Sequence, residues 1–365
     1  MKKLFFIAAI AGAALVSCTK NELAPSATEK HEITFASPVV GAQTKANVNG
    51  AIGTNYNTSE TFDVWAVYSA AALNNWDDGI EYITKRTVTW NGNGWAFNPA
   101  YYWPATGFLS FVALSPVIEE VTSYDGVYGF QIVGWEQGED ENAIVDLMYS
   151  DENKSNSKSY YDEDSEENGT GGKEDGPDHI YQGVDIKFNH ALSYLVFKIK
   201  TSADYSQTTR FRLNSITLSD IYRKGDFIQI PQNGVKNWSV YTDDNNKLLG
   251  EYVAYNNPDG LEFDSVIGEN EGPLAVDDGC DIILLPQLLT EGQQKITINY
   301  QIRTNDTPEG TWFDQTQTID LCATSIKEWE MGKKYTYTIS IGAQEIIFDP
   351  AVSVWEDGES DVIEL

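Results

Sequence analysis

The groups with chemical potential in this 365-residue chain are three histidines, three cysteines and 55 acidic side chains. Nucleophilic catalysis needs a positioned nucleophile and base. The chain contains no Gly-x-Ser-x-Gly elbow, no His-Glu-x-x-His and no phosphate-cradling glycine loop. His179 falls in a strongly acidic stretch, and His190 lies inside the apolar run from Phe188 to Leu195. A histidine in such a run is more often a core or turn residue than a base. A carboxylate pair at the right separation hydrolyses glycosides, but 55 acids offer so many pairs that the signal is uninformative. The acidic stretch also lacks the spacing of a calcium-binding helix–loop–helix. The sequence therefore reads as a non-enzyme with no cofactor and no metal site.

The bulk composition points the same way. The formal net charge is −31, which opposes nucleic-acid binding, because phosphate contacts require clustered Lys and Arg. It equally opposes attachment to an anionic membrane by charge alone. An apolar share of 41% with 12% aromatics is enough to pack a sizeable core, which excludes wholesale disorder.

One cysteine stands in a specific context. Lys2 and Lys3 precede an apolar run from Leu4 to Val16, the pattern of a signal peptide over residues 1–17 and too short for a permanent membrane helix. The run closes in Leu15-Val16-Ser17-Cys18, which resembles a bacterial lipobox. In such signals the cysteine thiol receives a diacylglycerol, the preceding peptide is cut, and the new amino terminus is acylated. Cys18 is the expected lipid site, and its acyl chains would anchor the precursor to a membrane. Cys280 and Cys322 remain. A disulfide between them and two buried thiols are equally good readings.

The elements that must position these groups are strands. Short alternating runs such as Phe62–Tyr68, Phe211–Leu218, Lys295–Tyr300 and Tyr335–Ile341 recur between Gly, Asn, Asp and Pro. Period-2 runs of this kind predict antiparallel sheets, and no stretch reads as a long amphipathic helix. Asn91-Gly92-Asn93-Gly94 between Trp90 and Trp95 predicts a hairpin turn. Residues 151–180 hold ten acids and almost no aliphatic residues, so they read as a solvated loop between two β-domains. Trp76, Trp135 and Trp238 lie in polar contexts and are candidates for glycan contact, although burial is the usual fate of Trp.

In this order, several segments resemble the fimbrillin (type V pilin) family of Bacteroidetes, especially its Mfa-like branch. They are the lipobox, Glu32-Ile33-Thr34-Phe35, Ala100-Tyr101-Tyr102-Trp103-Pro104 and Val145-Asp146-Leu147-Met148-Tyr149. Phe188-Asn189-His190-Ala191-Leu192 and Trp329-Glu330-Met331-Gly332-Lys333 complete the set. The resemblance implies an all-β chain of two tandem transthyretin-like, Greek-key β-sandwich domains. Residues 46–180 would form the first, including the acidic loop, and residues 181–365 the second. It also implies an outer-membrane lipoprotein precursor whose propeptide, residues 18–45, carries a removable first strand. In polymerising relatives a trypsin-like protease cuts after that strand, usually at Arg. The nearest candidate here is Lys45, which would leave Ala46 as the new terminus. The C-terminal segment of a neighbouring subunit, residues 345–365, would then fill the vacated groove and build a surface fimbria that adheres to a host or bacterial glycan or protein. The other reading that the resemblance leaves open is an uncut surface lipoprotein, acting as fimbrial anchor or adhesin.

The exchange has a sequence rationale of its own. A replacement strand must repeat the alternation of the strand it replaces, because a one-residue slip turns its apolar set outward. Glu32–Val39 and Glu345–Val352 align without gaps at Glu, Ile, Phe and Val. Ile33 and Phe35 are therefore the expected core residues of the displaced strand. Ile346, Phe348, Val352 and Val354 are the expected anchors of the donor. Pro350 is expected to break the donor into two short strands. A last strand that stays in its own domain is the plain alternative.

Overall fold

The computed structural model describes residues 31–40, 56–71, 73, 76–119, 130–139, 143–156, 183–201, 209–230, 235–263, 281–304, 311–341 and 346–355. Strand is the dominant element of these residues, as the alternating runs predicted. The first part of the chain supplies β1 (Thr34–Phe35), β2 (Val39–Val40), β3 (Phe62–Ser69), β4 (Ile80–Trp90) and β5 (Trp95–Phe97). It continues with β6 (Phe108–Ser115), β7 (Phe130–Glu136), β8 (Met148–Ser150), β9 (Asn153–Asn156) and β10 (Lys187–His190). Then come β11 (Ser193–Thr201), β12 (Thr209–Tyr222), β13 (Lys224–Ile230), β14 (Val235–Val240), β15 (Leu249–Phe263) and β16 (Asp281–Leu284). The last are β17 (Gln287–Leu288), β18 (Lys295–Thr304), β19 (Phe313–Asp320), β20 (Glu328–Trp329), β21 (Lys333–Ile341) and β22 (Ile346–Val354).

The first sheet has the order β1-β5-β4-β3-β6-β8-β10-β2, with β9 beside β6. Its two ends belong to one continuous stretch, because β1 and β2 are separated by only Ala36, Ser37 and Pro38. The sheet therefore closes on itself around an aromatic core that includes Phe35, Phe62, Trp95, Phe97, Phe111 and Phe188. Every residue of β3 is buried, which a one-sided strand would not require. The period of two explains it. Val64, Ala66 and Tyr68 face the closed core, whereas Trp65 and Val67 face a second cluster on the outside of the sheet.

That outer cluster is covered by a three-stranded sheet ordered β14-β13-β7. Strand β7 comes from the first half of the chain and the β13–β14 hairpin from the second, so the sheet spans both. Phe227 and Trp238 on the hairpin pack with Trp65, Phe130 and Tyr149. The second half is itself a sandwich of two four-stranded sheets, β16-β11-β21-β22 and β15-β12-β18-β19. Leu195, Phe197, Tyr335 and Tyr337 of one meet Phe211, Leu213, Ile296 and Ile298 of the other.

Three features depart from the sequence reading. The loop expected over residues 151–180 starts later, because Asn153–Asn156 pairs with Phe108–Phe111 as an added strand. Val184, Ile186 and Phe188 lie in the first core and β10 pairs with β8, so the first unit runs past residue 180 to His190. Trp76 is 3% exposed and so offers no face to a glycan, whereas Trp135 and Trp238 are half-buried against the outer cluster.

Candidate functional site

The candidate site is the seat of residues 31–40 in the first core. Ile33 is fully buried and Phe35 is 3% exposed. The Phe35 ring meets Phe62, Phe97 and Phe111 edge-on at 5.7, 5.2 and 6.1 Å, the geometry favoured by aromatic quadrupoles. Burial of Ile33, Phe35 and Val40 contributes about 1.5–3 kcal/mol each.

Backbone bonds hold the segment from both sides. On one flank Ile33 N–H donates to Tyr101 O at 2.8 Å, and Trp103 N–H donates to His31 O at 2.9 Å. On the other, Val184 N–H donates to Thr34 O at 2.8 Å, Ala36 N–H to Val184 O at 3.0 Å, and Val39 N–H to Ile186 O at 3.2 Å. The second flank is parallel, with Lys187 opposite Val39 and Phe188 opposite Val40. The segment is thus a guest strand between two walls, and without it both walls would present unpaired polar backbone. Beyond Val40 lies a cleft of about 530 Å³, lined in part by Tyr56, Ser115, Pro116, Ile144 and Met148. Tyr56 donates to Thr61 O at 3.0 Å, shares a 2.6 Å bond with Ser115 Oγ, and is pushed up to about 12 by burial.

The buried positions of the guest are Ile33, Phe35, Pro38 and Val40, whereas Val39 is half-buried. Its alternation therefore changes phase at Ala36-Ser37. The gap-free alignment places Val352 on Val39, a position that faces the core less. With one residue fewer in the donor, Ile346, Phe348, Pro350 and Val352 fall on Ile33, Phe35, Pro38 and Val40.

The C-terminal segment occupies a different environment. Among the described residues strand β22 pairs antiparallel with β21 alone, from Ile341 opposite Ile346 to Lys333 opposite Val354, and forms an edge of its own domain. In its own domain it runs unbroken through Pro350. An edge strand tolerates proline because its missing N–H need not face a partner. Val352 is half-buried against the second core, and Val354 is 45% exposed. Trp355, just past the strand, is 6% exposed and packs at the junction of the two halves.

Cys18, Lys45, Ala46, Cys280 and most of the acidic stretch lie outside the described residues. Cys322 is half-buried against the second core. His190 is 4% exposed and bonds Asp146 through Nδ1 at 2.9 Å. Among the described residues no group of three or more His, Cys, Asp or Glu could hold a metal ion. Residues 184–190 as a wall of the groove, and the stacking of His190 on Trp355, were not foreseen. The alternation of Val184, Ile186 and Phe188 was the available signal.

Solved structures similar to this chain include proteins of Bacteroides and Parabacteroides. A fimbrial protein from Bacteroides vulgatus ATCC 8482 shares 17% identity at a TM-score of 0.54, over 90% of this chain and 100% of that one. A protein from Bacteroides uniformis ATCC 8492, described as a cell-adhesion candidate, shares 17% identity at a TM-score of 0.49, over 89% and 99%. A fimbrial assembly protein from Parabacteroides distasonis ATCC 8503 shares 8% at a TM-score of 0.38, over 92% and 99%. At these identities the first supports the fold alone. No curated protein matches in sequence. The model of the fimbrillin-like family matches residues 44–355, most of the chain. This chain therefore belongs to the fimbrillin-like family.

Proposed function

We propose that the chain is a fimbrial subunit that polymerises by exchanging strands. Its precursor is exported, lipidated at Cys18 and held at the outer membrane. Cleavage after Lys45 lets residues 31–40 leave the first core, and the C-terminal strand of a neighbour takes their place. Each subunit then donates one strand and accepts one, which builds a surface appendage for adhesion. The observation that carries this reading is the guest strand bonded on both sides between Tyr101–Trp103 and Val184–Ile186. Its removal leaves two facing walls of unpaired backbone and an apolar seat that a strand of matching alternation satisfies. The C-terminal strand matches it with one residue fewer at the phase change, and as an edge strand it leaves its domain at less cost than a central one would.

N-terminal sequencing of the surface form tests the maturation step. A start at Ala46 is expected, and an acylated Cys18 on assembled fimbriae would sink it. Deletion of residues 345–365 is expected to leave a folded subunit that forms no SDS-resistant multimers. Multimers that persist after the deletion would mean that the donor lies elsewhere in the chain.

A further inference from the structure

Residues 184–194 have two attachments. Their first half is the parallel wall that holds the guest strand through Val184 and Ile186. Their second half holds the end of the C-terminal strand. The His190 ring lies flat on the Trp355 indole, with 3.6 Å between centroids and 4° between planes. Tyr194 stacks on the same indole at 5.1 Å and 19°. Asp146 fixes the imidazole through Nδ1. Two backbone bonds complete the clip, from Trp355 N–H to Gly332 O at 3.0 Å and from Gly332 N–H to Leu192 O at 2.8 Å. By contrast, the adjacent Val354 is 45% exposed.

We propose that Trp355 is a latch that keeps the C-terminal strand on its own subunit until residues 31–40 have left, and that residues 184–194 couple the two events. The proposal rests on the strand-exchange reading and adds its regulation. While the guest strand is seated, Val184–Phe188 is bonded to it, and β10 also pairs with β8. His190, two residues beyond Phe188 and opposite Met148 of β8, is a shelf for the indole held from both the guest side and the β8 side. Loss of the guest removes the bonds at Val184 and Ile186 together with the pairing at Phe188. The shelf gains freedom, the stack on Trp355 weakens, and the last strand frays from its outer end. A large aromatic held by two stacks and a backbone bond is the strongest fastening at that end of the strand. A subunit would then offer its donor only once its own groove is open, which suppresses assembly of uncut precursors.

Amide hydrogen exchange of the full chain tests this, measured at a dilution where size exclusion shows only monomer. In the uncut protein, Trp355→Ala should speed exchange across residues 346–355 at least tenfold and leave Ser193–Ile199 unchanged. Trp355→Phe, which keeps an aromatic ring on the shelf, should give a smaller acceleration and covers the case in which the alanine variant fails to fold. Cutting the unsubstituted chain after Lys45 and releasing residues 31–45 should reproduce the tenfold effect. Exchange over 346–355 that is unmoved by either aromatic substitution overturns the latch. Exchange unmoved by release of the guest overturns the coupling. Faster exchange in cut subunits that never form multimers supports the latch and overturns the strand-exchange reading.

Discussion

The first and last described strands carry a similar apolar motif in opposite circumstances. Residues 31–40 are bonded on both flanks, and Ile33, Phe35 and Val40 are at most 7% exposed. Residues 346–354 are paired on one flank only, and Val354 is 45% exposed. Similar alternation thus yields a core strand in one place and an edge strand in the other. What separates them is the number of walls and the depth of the seat, not the strand's own sequence. A segment with the pattern of the first strand, held as loosely as the last, has more to gain by moving than by staying.

Substitutions can break this comparison. Phe35→Ala should have the largest effect, about 3–5 kcal/mol of lost stability in denaturant titration, because it empties a fully packed aromatic seat. Tyr337→Phe, beneath the last strand, should cost about 1–3 kcal/mol. Trp329 Nε1–H donates to the Tyr337 hydroxyl at 2.9 Å and would be left buried without an acceptor. Alkaline pH loads both cores, because burial raises the phenols of Tyr335 and Tyr337 as it does that of Tyr56, and the Tyr56 share can be isolated. An unfolded tyrosine ionises near pH 10, whereas Tyr56 in the first core keeps its proton to about 12 because burial disfavours the phenolate. Between those values the native state binds more protons. Stability is therefore fully present below pH 10 and falls as the pH rises through 12. Each pKa unit between the two states is worth about 1.4 kcal/mol. Tyr56→Phe should flatten this loss when midpoints at pH 8 and pH 11 are compared. Val354→Ala should change stability by less than about 0.5 kcal/mol, since the side chain is already exposed. A Val354→Ala cost equal to that of Phe35→Ala would show that the last strand is as firmly seated as the first.

Local features of the fold were legible in the sequence. The Trp90–Trp95 hairpin forms as its Asn-Gly pairs predicted, with Asn91 Oδ1 accepting from Asn93 and Gly94 N–H and Gly92 at φ 96°. Ile33 and Phe35 are buried as their alternation required. The rest depends on contacts between remote segments. No local pattern tells β7 to pair with a hairpin that begins at Lys224, and that pairing is what buries Trp238. The phase change at Ala36-Ser37 is equally silent, because it arises where the antiparallel wall ends and the parallel one continues alone. Trp355, one residue past the last strand, has no local signal that names its partner. Its seat on His190 exists only once two distant segments have been brought together.

The sheet built from β7, β13 and β14 acquires a mechanical meaning if subunits are joined end to end. Tension on such a filament enters a subunit at the groove of its first half and leaves through the last strand of its second. Part of that load must cross the paired strands that run from Phe130–Glu136 to Lys224–Gln229. Ladders loaded along their strands share force across many hydrogen bonds at once, whereas ladders pulled open from one end yield bond by bond. Single-molecule extension of linked subunits would register the difference as one high rupture force or a series of low ones. The hairpin that reaches back across the molecule would then act as its tie-rod.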